Sequence, residues 1–210
     1  MTDRPINFPA PMIRALLDGR KSQTRRVLKP FAYDRKLRPA MDGYKPPPLD
    51  LWQVSTDGPF FRLPYAIGDR LYVREAACWV SAWGWRYRAD NDDLTEKRAD
   101  GEVGKWRPPI LMPRWASRLT LTVTDVRVQR LQEISADDAV AEGCYFKRWI
   151  TGEYPFFDQG VEADNRALVR QYRDLWNSLH GPEAWGANPW VVALSFTVQR
   201  GNIDQIGGDA

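Results

Sequence analysis

Histidine and cysteine are nearly missing from this 210-residue chain: His180 is the single imidazole, and Cys78 and Cys144 are the two thiols. A structural zinc site of Cys and His ligands takes four such groups, so three widely separated ones exclude it. No metal and no cofactor are called for. A Ser-His-Asp or Cys-His mechanism would rest on His180 alone, which stands at the end of a predicted helix before Gly181-Pro182, a capping or surface position. Two distant cysteines are expected to be reduced and buried, as in cytosolic proteins. No apolar run approaches the ~20 residues of a membrane-spanning helix, and Met1-Thr2-Asp3-Arg4-Pro5 has no signal-peptide apolar segment. The expected location is the cytoplasm, with no membrane partner. Catalysis, if any, falls to Lys, to Ser or Thr, and to Glu or Asp.

What is present points to one packed core. The hydrophobic fraction is 43% and there are 10 Trp, enough to exclude wholesale disorder. Length predicts a single domain over 1–210, with insertions near 31–66, 90–105 and 144–162, where Pro clusters and charge runs interrupt the pattern. Charge is uneven. The first forty residues hold ten Lys or Arg against three Asp, although the whole chain has a net charge of only +3. A basic N-terminal lobe suits a polyanion or a nucleotide phosphate.

The densest polar stretch is Gly19-Arg20-Lys21-Ser22-Gln23-Thr24-Arg25-Arg26, bracketed by Leu16-Leu17 and Val27-Leu28. A short helix from Pro11 to Asp18 would precede it, with Gly19 free to take positive φ at the helix end. If the chain then runs on as a strand, Ser22, Thr24 and Arg26 share one face. The same segment also reads as a solvated basic surface.

Further on, Gly68-Asp69 is a turn before a strand from Arg70 to Ala76, which places Glu75 on the apolar face of Leu71 and Val73. Glu75 reads equally as half of an ion pair with an arginine or as a substrate contact. Trp79, Trp83, Trp85 and Tyr87 follow, able to stack bases beside cations or simply to build core. Arg118 to Leu131 is the strongest strand, with a phase slip at Thr124-Asp125 that predicts a bulge. Ser135 reads as the N-cap of a short acidic helix ending at Glu142 and stopped by Gly143. An amphipathic helix from Asp164 to His180 carries Leu168, Tyr172, Leu175, Trp176 and Leu179 on one face. The last strand, after Asn188-Pro189, aligns Trp190, Val192, Leu194, Phe196 and Val198, and Gly201–Ala210 reads as a frayed tail.

Gly19-Arg20-Lys21-Ser22-x-Thr24-x-Arg26 resembles the signature of ASCH domains, members of the PUA-like superfamily. Gly68-Asp69-Arg70-Leu71-Tyr72-Val73 resembles the family's second motif, and Met112-Pro113-Arg114-Trp115 with Asn188-Pro189-Trp190-Val191 resembles its longer bacteriophage and prophage members. The resemblance implies an α+β fold: a small, mixed, mostly antiparallel PUA-like β-barrel with peripheral helices. Some small ASCH proteins are metal-free amidohydrolases that remove the acetyl group from N4-acetylcytidine. By resemblance, Lys21, Thr24 and Glu142 take the catalytic positions, and Arg20, Ser22, Arg26, Arg74, Glu75 and Trp79 are expected to contact substrate. Ser22 stands where the family has Thr, and Arg25 adds a cation. The implied partner is a modified nucleoside or a nucleic acid. A non-catalytic RNA- or DNA-binding module and a ribonuclease are the alternatives.

The residue chemistry is compatible. A Thr hydroxyl is a poor nucleophile without a base. Repulsion from Arg20, Arg25 and Arg26 would lower the Lys21 pKa enough to supply one. At a helix C-terminus, Glu142 would be disfavoured as a carboxylate and so become a proton donor. All three are polar residues at element ends, so truncating them is expected to cost little stability.

Overall fold

The computed structural model describes residues 2–31, 51–53, 60–80, 84–90, 105–144 and 160–206. In chain order the elements are β1 (Asp3–Asn7), α1 (Ala10–Leu17), β2 (Gln23–Val27), β3 (Pro30–Phe31), β4 (Leu51–Gln53), β5 (Phe60–Arg62), β6 (Arg70–Arg74), β7 (Ala77–Val80), β8 (Gly84–Tyr87), β9 (Leu119–Arg130), α2 (Ala136–Ala141), α3 (Gly160–His180) and β10 (Trp190–Arg200). Most of the expected insertions near 31–66, 90–105 and 144–162, together with Trp83 and residues 207–210, lie outside the described residues.

The architecture is α+β, mostly antiparallel, with helices on the flanks. Five strands form the main sheet in the order β1-β6-β9-β10-β2, and only the β1–β6 pair is parallel. No hydrogen-bonded ladder joins β1 to β2 among the described residues, so the sheet is open where a closed barrel was expected. The segment at 3–7, which contains Pro5, is a sheet strand. It lies on an edge, where a missing proline N–H costs no ladder bond.

Strands β9 and β10 form the spine. Their register shifts between Ser195 and Phe196, which face Asp125 and Val123, leaving Thr124 as the extra residue. The bulge lies where the sequence alternation slips. Because it falls on β9, the alternation of β10 is unbroken, and Val192, Leu194 and Phe196 all enter the main core with Ile13, Leu16, Leu71, Leu119 and Leu121. Each such side chain contributes about 1.5–3 kcal/mol on full burial.

The opposite face of β10 is covered too. Val191 packs with Leu131, Ala139, Leu168, Tyr172 and Trp176, a second core beneath α2 and α3. Two-sided burial explains why Val191-Val192-Ala193-Leu194 is continuously apolar. The expected frayed tail is instead anchored over 201–206. Ile203 is buried, and Arg70 donates to the carbonyls of Ile203 and Ile206 while bridging to Asp3.

Candidate functional site

Half of the polar signature segment lies inside the protein: Lys21, Gln23, Thr24 and Arg25 are buried, whereas Gly19 and Ser22 are exposed. Helix α1 ends at its C-cap Asp18, and Gly19 turns the chain with φ 71°. The N–H groups of Arg20 and Lys21 then both bond the Ala15 carbonyl. That turn drives Lys21 inward, where it has no solvent exposure, and delivers the chain into β2. On the other side, Ser135 caps α2 by accepting from the Asp138 N–H, and Glu142 is the C-cap residue. Gly143 follows with φ 97°. A Cβ there would meet the Cβ atoms of Ala15 at 3.2 Å and Lys21 at 3.6 Å, so only glycine lets the end of α2 settle onto the end of α1.

This close approach brings Lys21 and Glu142 together. Lys21 Nζ donates to Glu142 Oε2 at 2.7 Å and to the Glu142 carbonyl at 2.9 Å. The other carboxylate oxygen accepts from Arg25 Nη1 at 3.1 Å. Arg25 also donates to Gln23 Oε1 and to Asp138 at 2.7 Å, and Arg127 takes the second Asp138 oxygen at 2.9 Å. The result is a relay, Lys21–Glu142–Arg25–Asp138–Arg127, buried at its Lys21–Glu142–Arg25 end and reaching the surface at Arg127. Burial lowers the Lys21 pKa, while the Glu142 charge and hydrogen bond work against that shift. The expected direction holds, but desolvation is the main cause: of the neighbouring arginines only Arg26 contributes, and weakly. Burial opposes ionisation of Asp138, yet the Arg127 hydrogen bond and the Arg25 charge leave its pKa below the usual value. At the end of α2, the Glu142 carboxylate has two cations within 3.1 Å.

Two cavities meet at Glu142. A crevice of about 20 Å³ is lined by Thr24, Arg25, Arg26, Glu142, Trp176 and His180, among others. A cleft of about 700 Å³ opens between α1 and α3, with Arg20, Glu142, Gly143 and Cys144 in its walls. Met12, Glu142 and Leu175 line both, so two side chains partition a nucleoside-sized cleft from the buried relay. His180 stacks on Trp176 with ring centroids 4.2 Å apart, and burial holds its pKa down.

Thr24 and Glu142 both line the crevice, Lys21 reaches it only through its bond to Glu142, Arg26 is in the crevice wall, and Arg20 is in the cleft wall, paired to Asp18 at 2.7 Å. Arg26 also donates to the Asn7 carbonyl at 2.9 Å and lies over the Phe8 ring. Ser22 is not gathered: its residue is exposed. Nor are the other three. Arg74 donates to the Tyr72 hydroxyl and the Ile110 carbonyl. Glu75 is held by Arg118 at 2.8 and 3.0 Å, the ion-pair reading of the two left open. Trp79 is half exposed and packs edge-on against Trp85.

Sequence reasoning missed the importance of Arg25, Asp138 and Trp176. Asp138 falls three residues after the N-cap, and Trp176 is on the apolar face of its helix, so both carry ordinary structural signals. Arg25 gave one: a cation midway along a strand in an otherwise buried position. Both cysteines are free and buried, as expected. Among the described residues no Cys, His, Asp and Glu cluster could hold a metal ion, and no helix is long and apolar enough to cross a membrane.

No protein-family model matches the chain, and no curated protein matches it. Among solved structures, it is similar to a crystal structure of an ASCH domain from Lactobacillus crispatus, at 13% identity and a TM-score of 0.35, over 94% of this chain and 79% of that one. A likeness of that extent leaves the chemistry of the site to be read from this chain's own residues.

Proposed function

We propose that the protein is a metal-free amidohydrolase of the ASCH type, acting on an N4-acylated cytosine nucleoside or nucleobase. The observation that carries the reading is the desolvated Lys21–Glu142 pair, 2.7 Å apart, beside a crevice lined by Thr24. In its neutral form, the Lys21 amine takes the Thr24 proton as Oγ attacks the acyl carbonyl carbon. Collapse of the tetrahedral adduct breaks the carbon–nitrogen bond, and the Lys21–Glu142 pair returns the proton to the leaving amine. Water then cleaves the acyl-threonine ester, with the same pair as base, giving the free carboxylic acid. The cleft of about 700 Å³ is of the size that holds a nucleoside. The choice of acylcytosine rests on the resemblance of the signature segment.

The test is incubation with a panel of N4-acylated cytidines. Release of cytidine and acid without added metal is expected, retained by Ser22→Ala and lost by at least about 100-fold in Thr24→Val. Failure of the wild-type protein to release cytidine overturns the reading. A nucleic-acid-binding module is the second reading, favoured by the edge-on row Trp79–Trp85–Trp115, whose two outer rings are exposed. It calls for salt-dependent oligonucleotide retention that Trp79→Ala weakens, with no product.

A further inference from the structure

Of the buried side-chain nitrogens that have no partner among the described residues, two are carried by residues that line the same crevice: Nε of Arg25 and Nε1 of Trp176. Both are N–H donors that cannot accept, so only an acceptor atom satisfies them. A buried donor without one carries its full desolvation penalty. The residues that bear them are fixed. Arg25 is clamped through its terminal nitrogens by Gln23, Asp138 and Glu142. Trp176 is held by ring contacts with Tyr172 and His180 and is itself buried. Between them the crevice, at about 20 Å³, has room for about one oxygen-sized group. Thr24 and Glu142 line the same space.

We infer that this crevice is an oxyanion pocket: Arg25 Nε–H and Trp176 Nε1–H receive the carbonyl oxygen of the substrate's acyl group. The inference rests on the hydrolase reading and deepens it. When Thr24 Oγ bonds the acyl carbon, the carbonyl π pair moves onto oxygen, and the two donors stabilise that negative charge. The pair returns to carbon as the bond to nitrogen breaks, and the proton balance through Lys21 and Glu142 is unchanged. Donors locked by packing need no reorganisation as the charge develops, which is what makes such pockets effective. The pocket also sets a substrate class. An acyl oxygen fits, whereas the bulk of the nucleoside stays in the larger cleft beyond Met12 and Leu175.

Trp176→Phe keeps an aromatic ring and deletes one donor. With N4-acetylcytidine it is expected to lower kcat about 100- to 1,000-fold with KM little changed, while the thermal melt stays cooperative. In parallel, titrating sodium acetate into the ¹⁵N-indole-labelled wild-type protein is expected to move the Trp176 Nε1–H resonance saturably. If the wild type cleaves N4-acetylcytidine and Trp176→Phe cleaves it equally well, the oxyanion pocket is overturned and amide hydrolysis stands. If the wild type cleaves no acylated nucleoside, the hydrolase reading falls and acetate decides the crevice. A saturable shift supports an acceptor site, and an unmoved resonance overturns it. The acetate titration also decides the matter should Trp176→Phe fail to fold.

Discussion

Lys21 holds Glu142 at two points, the carboxylate at 2.7 Å and the backbone carbonyl at 2.9 Å, across 121 residues of sequence. One ammonium thus satisfies both the charge and the backbone carbonyl of the residue that caps the end of α2. Removing it strips two buried acceptors at once.

The first prediction reverses the expectation that the site's polar residues are cheap to truncate. Lys21→Met should destabilise by about 3 kcal/mol, the range for breaking a buried ion pair from one side. Glu142→Gln should cost a similar amount, because Lys21 and Arg25 lose their shared anion. The double variant Lys21→Met with Glu142→Leu should recover part of the loss. Urea denaturation of the three proteins measures this, and additive losses would refute it.

The second concerns Gly143. Alanine there must adopt a positive φ and press its Cβ toward Ala15 and Lys21. A cost of about 2 kcal/mol is expected, or roughly 4–8 °C in Tm for a chain of this size. The crowded neighbour is Ala15 at 3.2 Å, whose carbonyl accepts from the Lys21 N–H, so turnover should fall further than stability does. Calorimetry and kinetics on Gly143→Ala check both halves.

The third is a pH effect on stability. The Asp138 pKa lies below its usual 3.8. Its stabilising contribution is therefore complete above that value and is lost as pH falls through the lower folded-state value. Asp138→Asn should be less stable than wild type at about pH 7, by about 2 kcal/mol, with the gap narrowing once pH falls below 3.8. Paired urea titrations at the two pH values read the difference directly.

The fourth is a pH effect on rate. The base form of Lys21 is the neutral amine, and burial lowers its pKa from 10.5. Log kcat/KM should therefore climb with pH and level off below 10.5. A limb that continues rising through 10.5 would remove Lys21 as the base.

The fifth concerns the thiols. Burial, reinforced by Glu142, pushes the Cys144 thiol up to about 12, and burial also raises Cys78. At about pH 8 neither should react with a disulfide reagent until the protein unfolds. Fast labelling of the native protein would contradict this.

What the sequence made legible was local. Gly19 at the end of α1, Ser135 capping α2, Gly143 stopping it and the slip at Thr124 are each written within a few residues of the feature they produce. Of the residues singled out for the candidate site, Lys21 and Glu142 are ion-paired and Thr24 lines the crevice beside Glu142. The depth of that site was not legible. A stretch with four cations in eight residues reads as surface, and only the distant carboxylates of Glu142 and Asp138 allow Lys21 and Arg25 to be buried. Sequence order gives no hint that residues near 138–142 return to residues 21–25. Arg74, Glu75 and Trp79 were drawn toward the site by motif adjacency, yet Glu75 satisfies its charge with Arg118.

The strand order also governs when the site can exist during synthesis. Strand β2, made among the first thirty residues, sits on the sheet edge, and its ladder partner is β10, residues 190–200. On the ribosome, Thr24 and Arg25 have no sheet to join until residues 190–200 have emerged, whereas β1 can dock once β6 is made. The signature segment is translated well before the strand it pairs with and is placed only after it. Until then its cations stay solvated, and a nascent chain halted before Trp190 carries every gathered site residue without a site.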